Sequence, residues 1–292
     1  MKRIIMCYGK TPYTPGRYLE DAFRNIGVTI DLYEKSVDFS LLNLSDYDAV
    51  VFVESPSKPS IKVKNIELVT IPKIFWVHHG ENRLTTNLQL AKRYRADLVL
   101  MAHSLHLAKR FSSPVRFFPF GMSKDIFNCN KELKDRNIDI ASVGSNDAGF
   151  YGKRRKAINT IKNQFSSKYR LSLDRKAYLN DLANIYGNSK IVFNQSANTI
   201  KSINMRLFEG MGCGALVISD YVPGMEKLFI ENTHYVSFKD EDELIEKMDY
   251  YLNNTEEAQV IATAAYEHLL NNHTYEHRAK EIIELIQELS NN

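Results

Sequence analysis

The chain has 292 residues, 44% of them hydrophobic and 25% charged, and its 38 lysines and arginines against 35 acidic residues give a formal charge of +3. That composition excludes a disordered chain, and at roughly 150 residues per domain the length predicts two domains, each with its own core. Cys7, Cys129 and Cys213 are odd in number and too far apart for a Cys-x-x-Cys metal or redox pattern, which argues against a disulfide framework and for a reducing, cytoplasmic setting. No window approaches the ~18 apolar residues of a membrane span, so no membrane-spanning segment is expected.

In chain order, β-branched and aromatic runs alternate with amphipathic stretches, the pattern of an α/β protein with parallel sheets. Strands are predicted over 4–8, 29–33, 49–54, 73–77, 96–101 and 115–119, and helices around 17–25, 84–94 and 105–111. The runs DAVVFV and ADLVLM are near-continuously apolar, as strands buried on both faces are. A second series of strands follows over 138–143, 170–173, 191–194, 216–219 and 235–238. Pro119 and Gly121 bracket a turn, with Ser123 or Asp125 available to cap the next element, so the connection between domains falls near Phe120. The last fifty or so residues read as three consecutive helices. The expected organisation is two βαβ domains, 1–120 and 121–274, with a helical tail after the last strand. No internal repeat or low-complexity tract is present.

Several familiar patterns are incomplete. Gly9-Lys10-Thr11 matches the end of a phosphate loop, but Ile4 stands where that loop needs another glycine. Gly210, Gly212 and Gly214 follow a helical pattern instead of a strand and lack the dinucleotide spacing. Asp240-Glu241-Asp242 has the look of a metal-binding acidic triplet, yet it opens an amphipathic helix, where carboxylates complement the helix dipole. His273 and His277 are four apart without an evident third ligand, and they read as packing or hydrogen-bonding residues, as do His103 and His106.

The most informative stretch is 181–220. A strand, IVFNQS, leads through a polar loop into a short helix carrying Arg206 and Glu209, and a second strand, ALVIS, follows Gly214. Ends of parallel strands followed by helix N-termini are where open α/β sheets bind ligands, and free amides there suit phosphate. Residues three apart share a helix face. Arg206 is therefore placed to meet phosphate oxygens and Glu209 to accept both hydroxyls of a ribose, or the two form a surface ion pair.

The string NMRLFEGMGCGALVISD, followed by VPGMEKLF, DEDELIEKMDYYL and HTYEHRAKEII, resembles the C-terminal half of the GT-B glycosyltransferases. It is most similar to the group 1, family-4-like branch that includes spore-coat glycosyltransferase-like proteins. The match runs roughly over 138–285, whereas the first half shares only a strand–helix rhythm. The resemblance implies a GT-B fold of two Rossmann-like domains, with a last helix over about 275–292 packing back on the first, and a nucleotide-sugar donor, UDP-sugar favoured, held mostly by the C-terminal domain. It further implies an acceptor on the N-terminal domain across a cleft, no metal or other cofactor, and transfer with retention of configuration. Glu209 matches the ribose-binding glutamate and Arg206 the basic residue before it near the diphosphate. In SVGSNDAGFYGKRRKAI, Gly144 and Ser145 match the loop that approaches the donor, and Lys153, Arg154 and Arg155 are the cations available to the leaving diphosphate. Many retaining members carry E-x7-E, but Lys201 occupies the position eight before Glu209; Asn204, Ser202 and Ser196 are then the candidates to meet sugar hydroxyls.

In the first domain, IPKIFWVHHGENR runs from a strand into a polar turn. Alternation puts Phe75 and Val77 on one face and Trp76 and His78 on the other, leaving His79 nearer the loop. The resemblance makes His79, with His78 as the alternate, the candidate catalytic histidine; the plain reading of the pair is two half-buried histidines satisfying backbone groups. Lys10, Tyr13 and Arg17, in the loop after the first strand, are further candidates for acceptor or phosphate. The acceptor itself is open among glycan, protein, small molecule and DNA. For DNA, 58–95 holds eight basic residues against two acidic, although a solvated Lys/Arg surface is the favoured reading of such a run. The remaining alternative is a non-catalytic nucleotide-sugar-binding protein.

Overall fold

The computed structural model describes residues 2–129, 131–145, 147–198, 200 and 202–291, with Ala148 by its backbone alone. Lys201 lies outside the described residues. The chain divides into two compact units, Met1–Phe120 with Tyr275–Asn292, and Gly121–Thr274. Among the described residues no helix is long and apolar enough to cross a membrane.

The first unit runs β1 (Arg3–Cys7), α1 (Pro15–Asn25), β2 (Thr29–Tyr33), β3 (Ser36–Asp38), β4 (Ala49–Val53), β5 (Lys62–Lys64), β6 (Lys73–Val77), α2 (Leu84–Arg93), β7 (Leu98–Met101) and β8 (Val115–Phe117). Six of the strands form one parallel sheet in the order β2-β1-β4-β6-β7-β8. Every residue of β4 and β6 is buried, because both are interior strands of a parallel sheet covered on both faces. Strand order reverses between β1 and β4, which opens a crevice at their C-terminal ends. The pair β3–β5 is three residues long on each side and too short for alternation to be read from sequence. The expected helix at 105–111 is a tight 3₁₀ segment, Leu105–Arg110, entered through Ser104 in the left-handed region.

The second unit runs β9 (Ile138–Val143), α3 (Ala148–Phe165), β10 (Leu171–Arg175), α4 (Leu179–Gly187), β11 (Ser189–Asn194), α5 (Met205–Gly212), β12 (Leu216–Asp220), β13 (Val236–Phe238), α6 (Glu241–Asn253) and α7 (Thr255–Asn272). Its parallel sheet has the order β10-β9-β11-β12-β13, so the reversal here falls between β9 and β11. Ile140, Ile191, Phe193, Leu216 and Ile218 pack under Ile158 and Ile161 of α3 and Leu244 and Met248 of α6. On α5, a Cβ at Gly210 would stand 2.9 Å from the Val217 side chain, so the helix lies close on its sheet because glycine stands there. Asp240 caps α6 by accepting from the Glu243 amide at 2.9 Å.

The last helix, α8 (Tyr275–Ser290), belongs to the first unit. Tyr275 packs with Tyr18 of α1 and Trp76 of β6. The buried Arg278 guanidinium donates to the Pro119 and Phe120 carbonyls at 3.1 and 3.2 Å. The late H-T-Y-x-x-R string thus supplies an aromatic and a cation that tie α8 to the end of the first sheet.

Candidate active site

At the switch point of the second unit, β9 ends at Val143 and the chain turns through Gly144 with φ of +132°, a conformation that L side chains rarely adopt. β11 ends at the buried Asn194. Between these strand ends stands Arg206, in the first turn of α5, whose N-cap Asn204 accepts from the Arg206 amide at 3.1 Å. Arg206 Nε donates to Asn194 Oδ1 at 3.1 Å, and Asn194 Nδ2 donates to Ser219 Oγ at 2.9 Å. The terminal nitrogens of Arg206 have no acceptor among the described residues. A Cβ on Gly144 would come within 2.9 Å of Arg206 Nη1 and 3.8 Å of Arg154 Nη1, so these two nitrogens are at most about 6.7 Å apart.

Arg154, from α3, is buried and donates to the Ser145 carbonyl at 2.7 Å and to the Gln195 carbonyl. It braces the loop after β9 to the loop after β11, and its guanidinium lies over the Tyr151 ring. Burial, and then the Arg206 charge, hold the Arg154 guanidinium down at about 9, still a cation at neutral pH. Neither arginine has a carboxylate in salt-bridge contact among the described residues. At an effective dielectric constant of ~20, two unit charges at that separation repel by about 2.5 kcal/mol. An anion seated between the strand ends relieves that cost.

Glu209, one turn on from Arg206, is only 6% exposed. Burial pushes its carboxyl up to about 7, with the Arg206 charge opposing. Lys153 is exposed, and its amide donates to Asn198 Oδ1 at 2.9 Å. It lines a polar cavity of about 490 Å³ together with Gln195, Ser196, Asp220 and Lys239. Ser145 is exposed and donates to Asp147, the N-cap of α3, at 3.1 Å. Ser196 is tied to Asp220, which accepts from both its amide and its hydroxyl. Of the residues singled out in sequence, Gly144, Arg154 and Arg206 therefore meet at one point, Glu209 adjoins them on α5, and the side chains of Lys153 and Ser145 face outward. Asn194 escaped the sequence reading; the signal for it is a polar residue ending an apolar strand, IVFN.

In the first unit, Glu54 at the end of β4 is buried and accepts from the His78 and His79 amides at 2.6 and 2.7 Å and from Arg83 Nε at 3.0 Å. Burial alone raises its carboxyl, but the His79 side chain, the His78 and His79 charges and the His78 amide outweigh it and hold it at about 2. Trp76 and His78 share a face, in edge contact at 4.3 Å, while Phe75 and Val77 join the opposite core. His78 is 4% exposed, and burial lowers its imidazole to about 3. His79 is 41% exposed, with Nδ1 3.5 Å from Glu54 Oε2, and Asn87 donates to its carbonyl at 2.8 Å. Glu54 is the second residue that the sequence reading missed, since a lone glutamate closing a strand carries no pattern. Lys10 is paired with the buried Glu20 at 2.9 Å and Arg17 with Asp21 at 2.8 Å.

A family model described as glycosyl transferase-like matches residues 128–284, more than half of the chain. The chain belongs to that family, and it is a glycosyltransferase built from two Rossmann-like units of the GT-B class. A search among curated protein sequences gave no match. Among solved structures it is similar to a sucrose-phosphate synthase (tll1590) from Thermosynechococcus elongatus, at 13% identity over 99% of both chains with a TM-score of 0.64. It is similar to Anabaena Alr3699/HepE in complex with UDP and glucose, at 12% identity over 99% of this chain and 100% of that one, with a TM-score of 0.64. An alpha-glucosyltransferase in complex with UDP and a 13-mer DNA containing a HMU base gives 14% identity over 98% and 100%, with a TM-score of 0.68. At these identities the likeness is one of fold.

Proposed function

We propose that the protein transfers a sugar from a nucleotide-sugar donor, UDP-sugar favoured, to a hydroxyl-bearing acceptor, without a metal ion and with retention of configuration. The observation that carries this reading is the pair Arg206 and Arg154, neither in salt-bridge contact with a carboxylate among the described residues, at the β9–β11 switch point with Glu209 on the same helix as Arg206. The diphosphate lies against Gly144 and the free fork of Arg206, and Glu209 accepts the ribose hydroxyls. Breaking the bond between the sugar C1 and the diphosphate adds negative charge to the leaving phosphate. Fixed guanidiniums stabilise that charge in the role a divalent cation takes elsewhere. Asn204, Ser202 and Ser196 serve the sugar, and in the first unit His79 serves the acceptor hydroxyl. Structures similar in fold that hold UDP support the choice of base. Calorimetry with UDP and GDP tests the reading: one diphosphate binds, Glu209→Ala loses most of that affinity, and EDTA leaves donor turnover unchanged. Unaltered affinity in Glu209→Ala removes the ribose assignment.

A second reading makes the acceptor DNA. Six of the eight basic residues over 58–95, namely Lys58, Lys62, Lys64, Lys92, Arg93 and Arg95, are exposed, and one similar structure holds a DNA 13-mer. Salt-sensitive retention on duplex DNA supports it, and no shift in a low-salt gel removes it.

A further inference from the structure

Asn194 is the last residue of β11 and lies beside Ser219 in the pairing of β11 with β12. Alternation decides which way it points. A Cβ at Gly210 would stand 3.2 Å from Val192, so α5 covers that face of the strand; Asn194, two residues on, shares the face, while Ile191 and Phe193 join the core under α3 and α6. Its amide can stand only one way round. Arg206 Nε is a donor and faces Oδ1 at 3.1 Å, whereas Ser219 Oγ spends its own proton on the Asp220 carbonyl at 3.1 Å and so accepts from Nδ2 at 2.9 Å. Asn194 and Ser219 are both buried. The remaining N–H groups of Arg206 lie on its terminal nitrogens, with Nη1 against the Gly144 turn. Held by Nε alone, the guanidinium keeps free its end fork, the edge that meets two phosphate oxygens at once.

We propose that Asn194 is a positioning residue of the donor site: it aims the Arg206 guanidinium through Nε and, being uncharged, leaves the full positive charge for the diphosphate. This rests on the diphosphate role proposed for Arg206. An aspartate is the same size and would grip the guanidinium harder, by charge as well as by hydrogen bond. It would also neutralise Arg206 and relieve its repulsion with Arg154, two effects that the site otherwise keeps for a ligand anion. The neutral amide separates aiming from neutralising. The carboxylate at the end of β12 is likewise turned to another task, since Asp220 accepts from the Ser196 amide and hydroxyl.

The test is calorimetry on the parent, Asn194→Ala, Asn194→Asp, Arg206→Ala and the double alanine variant, using whichever of UDP and GDP the parent binds, with thermal melts of the ligand-free proteins. Asn194→Asp is expected to melt no lower than the parent and yet to bind the diphosphate about tenfold more weakly, or worse. Asn194→Ala is expected to lose about tenfold as well, and to cost nothing further where Arg206 is already alanine, because it acts through that guanidinium. Parent-like affinity in Asn194→Asp overturns the proposal while leaving the diphosphate assignment of Arg206 intact. A melting temperature that falls together with affinity in Asn194→Asp also overturns it, since the amide is then a packing element and nothing more. So does an equal loss from Asn194→Ala with and without Arg206. Parent-like binding by Arg206→Ala, or a parent that binds neither diphosphate, removes the diphosphate assignment and this proposal with it.

Discussion

The Arg206 guanidinium fills the space that a side chain on Gly144 would take, with Nη1 2.9 Å from the Cβ position. The glycine thus serves twice, by turning the chain at φ +132° and by leaving room for a cation at the end of β9. Gly144→Ala is expected to push Arg206 off Asn194 and to weaken nucleoside diphosphate binding by more than tenfold. The strained backbone costs about 1–3 kcal/mol of stability in addition. Calorimetry with urea unfolding reads both effects, and parent-like affinity would contradict the assignment of this point to the diphosphate.

Glu209 carries a pH signature. Its carboxyl titrates at about 7 in the fold against an ordinary 4.5, so the folded protein holds this proton more tightly than the unfolded chain does. The resulting stability is complete below about pH 4.5 and is lost as pH rises through 7, an effect of about 3 kcal/mol. Glu209→Gln removes this dependence. Urea unfolding of parent and variant is expected to show a stability gap that widens in favour of glutamine between pH 5 and pH 8. Parallel curves would show that the carboxyl is not buried in the ligand-free protein.

Much of this was legible in sequence, for reasons particular residues make plain. Strands such as AVVFV and KIFWV announce themselves because a parallel sheet buries both faces, and α5 was placed by the polar loop before it and Gly214 after it. Arg206 and Glu209 were found because they share a helix face and stand in a family motif. Asn194 and Glu54 were not, since each gains its role from a partner on another element. No local pattern encodes the meeting of Glu54 with the His78 and His79 amides. Burial also divided what spacing left together: Arg154 and Lys153 are neighbours in sequence, but one braces two loops and the other faces solvent.

Glu54, itself buried, holds the β6 turn by accepting two amides and the guanidinium of the part-exposed Arg83. Glu54→Ala leaves the buried His78 amide without an acceptor and frees the part-buried His79 amide and Arg83, at an expected loss of about 1–3 kcal/mol of stability. Glu54→Gln keeps one acceptor oxygen and is expected to lose less. If His79 serves the acceptor, both variants also lower transfer more than they lower donor binding, because the donor site lies in the other unit. Paired turnover and calorimetric measurements separate these effects, and equal losses in both would deny Glu54 its local role.

His78 and His79 are expected to part company under substitution. His79 is half-exposed, and His79→Ala is expected to lower transfer by about 10²–10⁴ with little change in stability. His78 packs between Trp76 and Phe120, and burial holds its imidazole at about 3, so it stays neutral in the fold where the unfolded chain takes up a proton. Its share of stability is present above pH 6.5 and is lost as pH falls from there toward 3; His103, held at about 4 by burial, behaves alike. His78→Phe fills the same apolar site without that proton, and is expected to lose about 2–3 kcal/mol less than the parent between pH 7 and pH 4.5. Unfolding midpoints at the two pH values decide it: an equally acid-sensitive variant would mean that His78 is charged and paired in the fold.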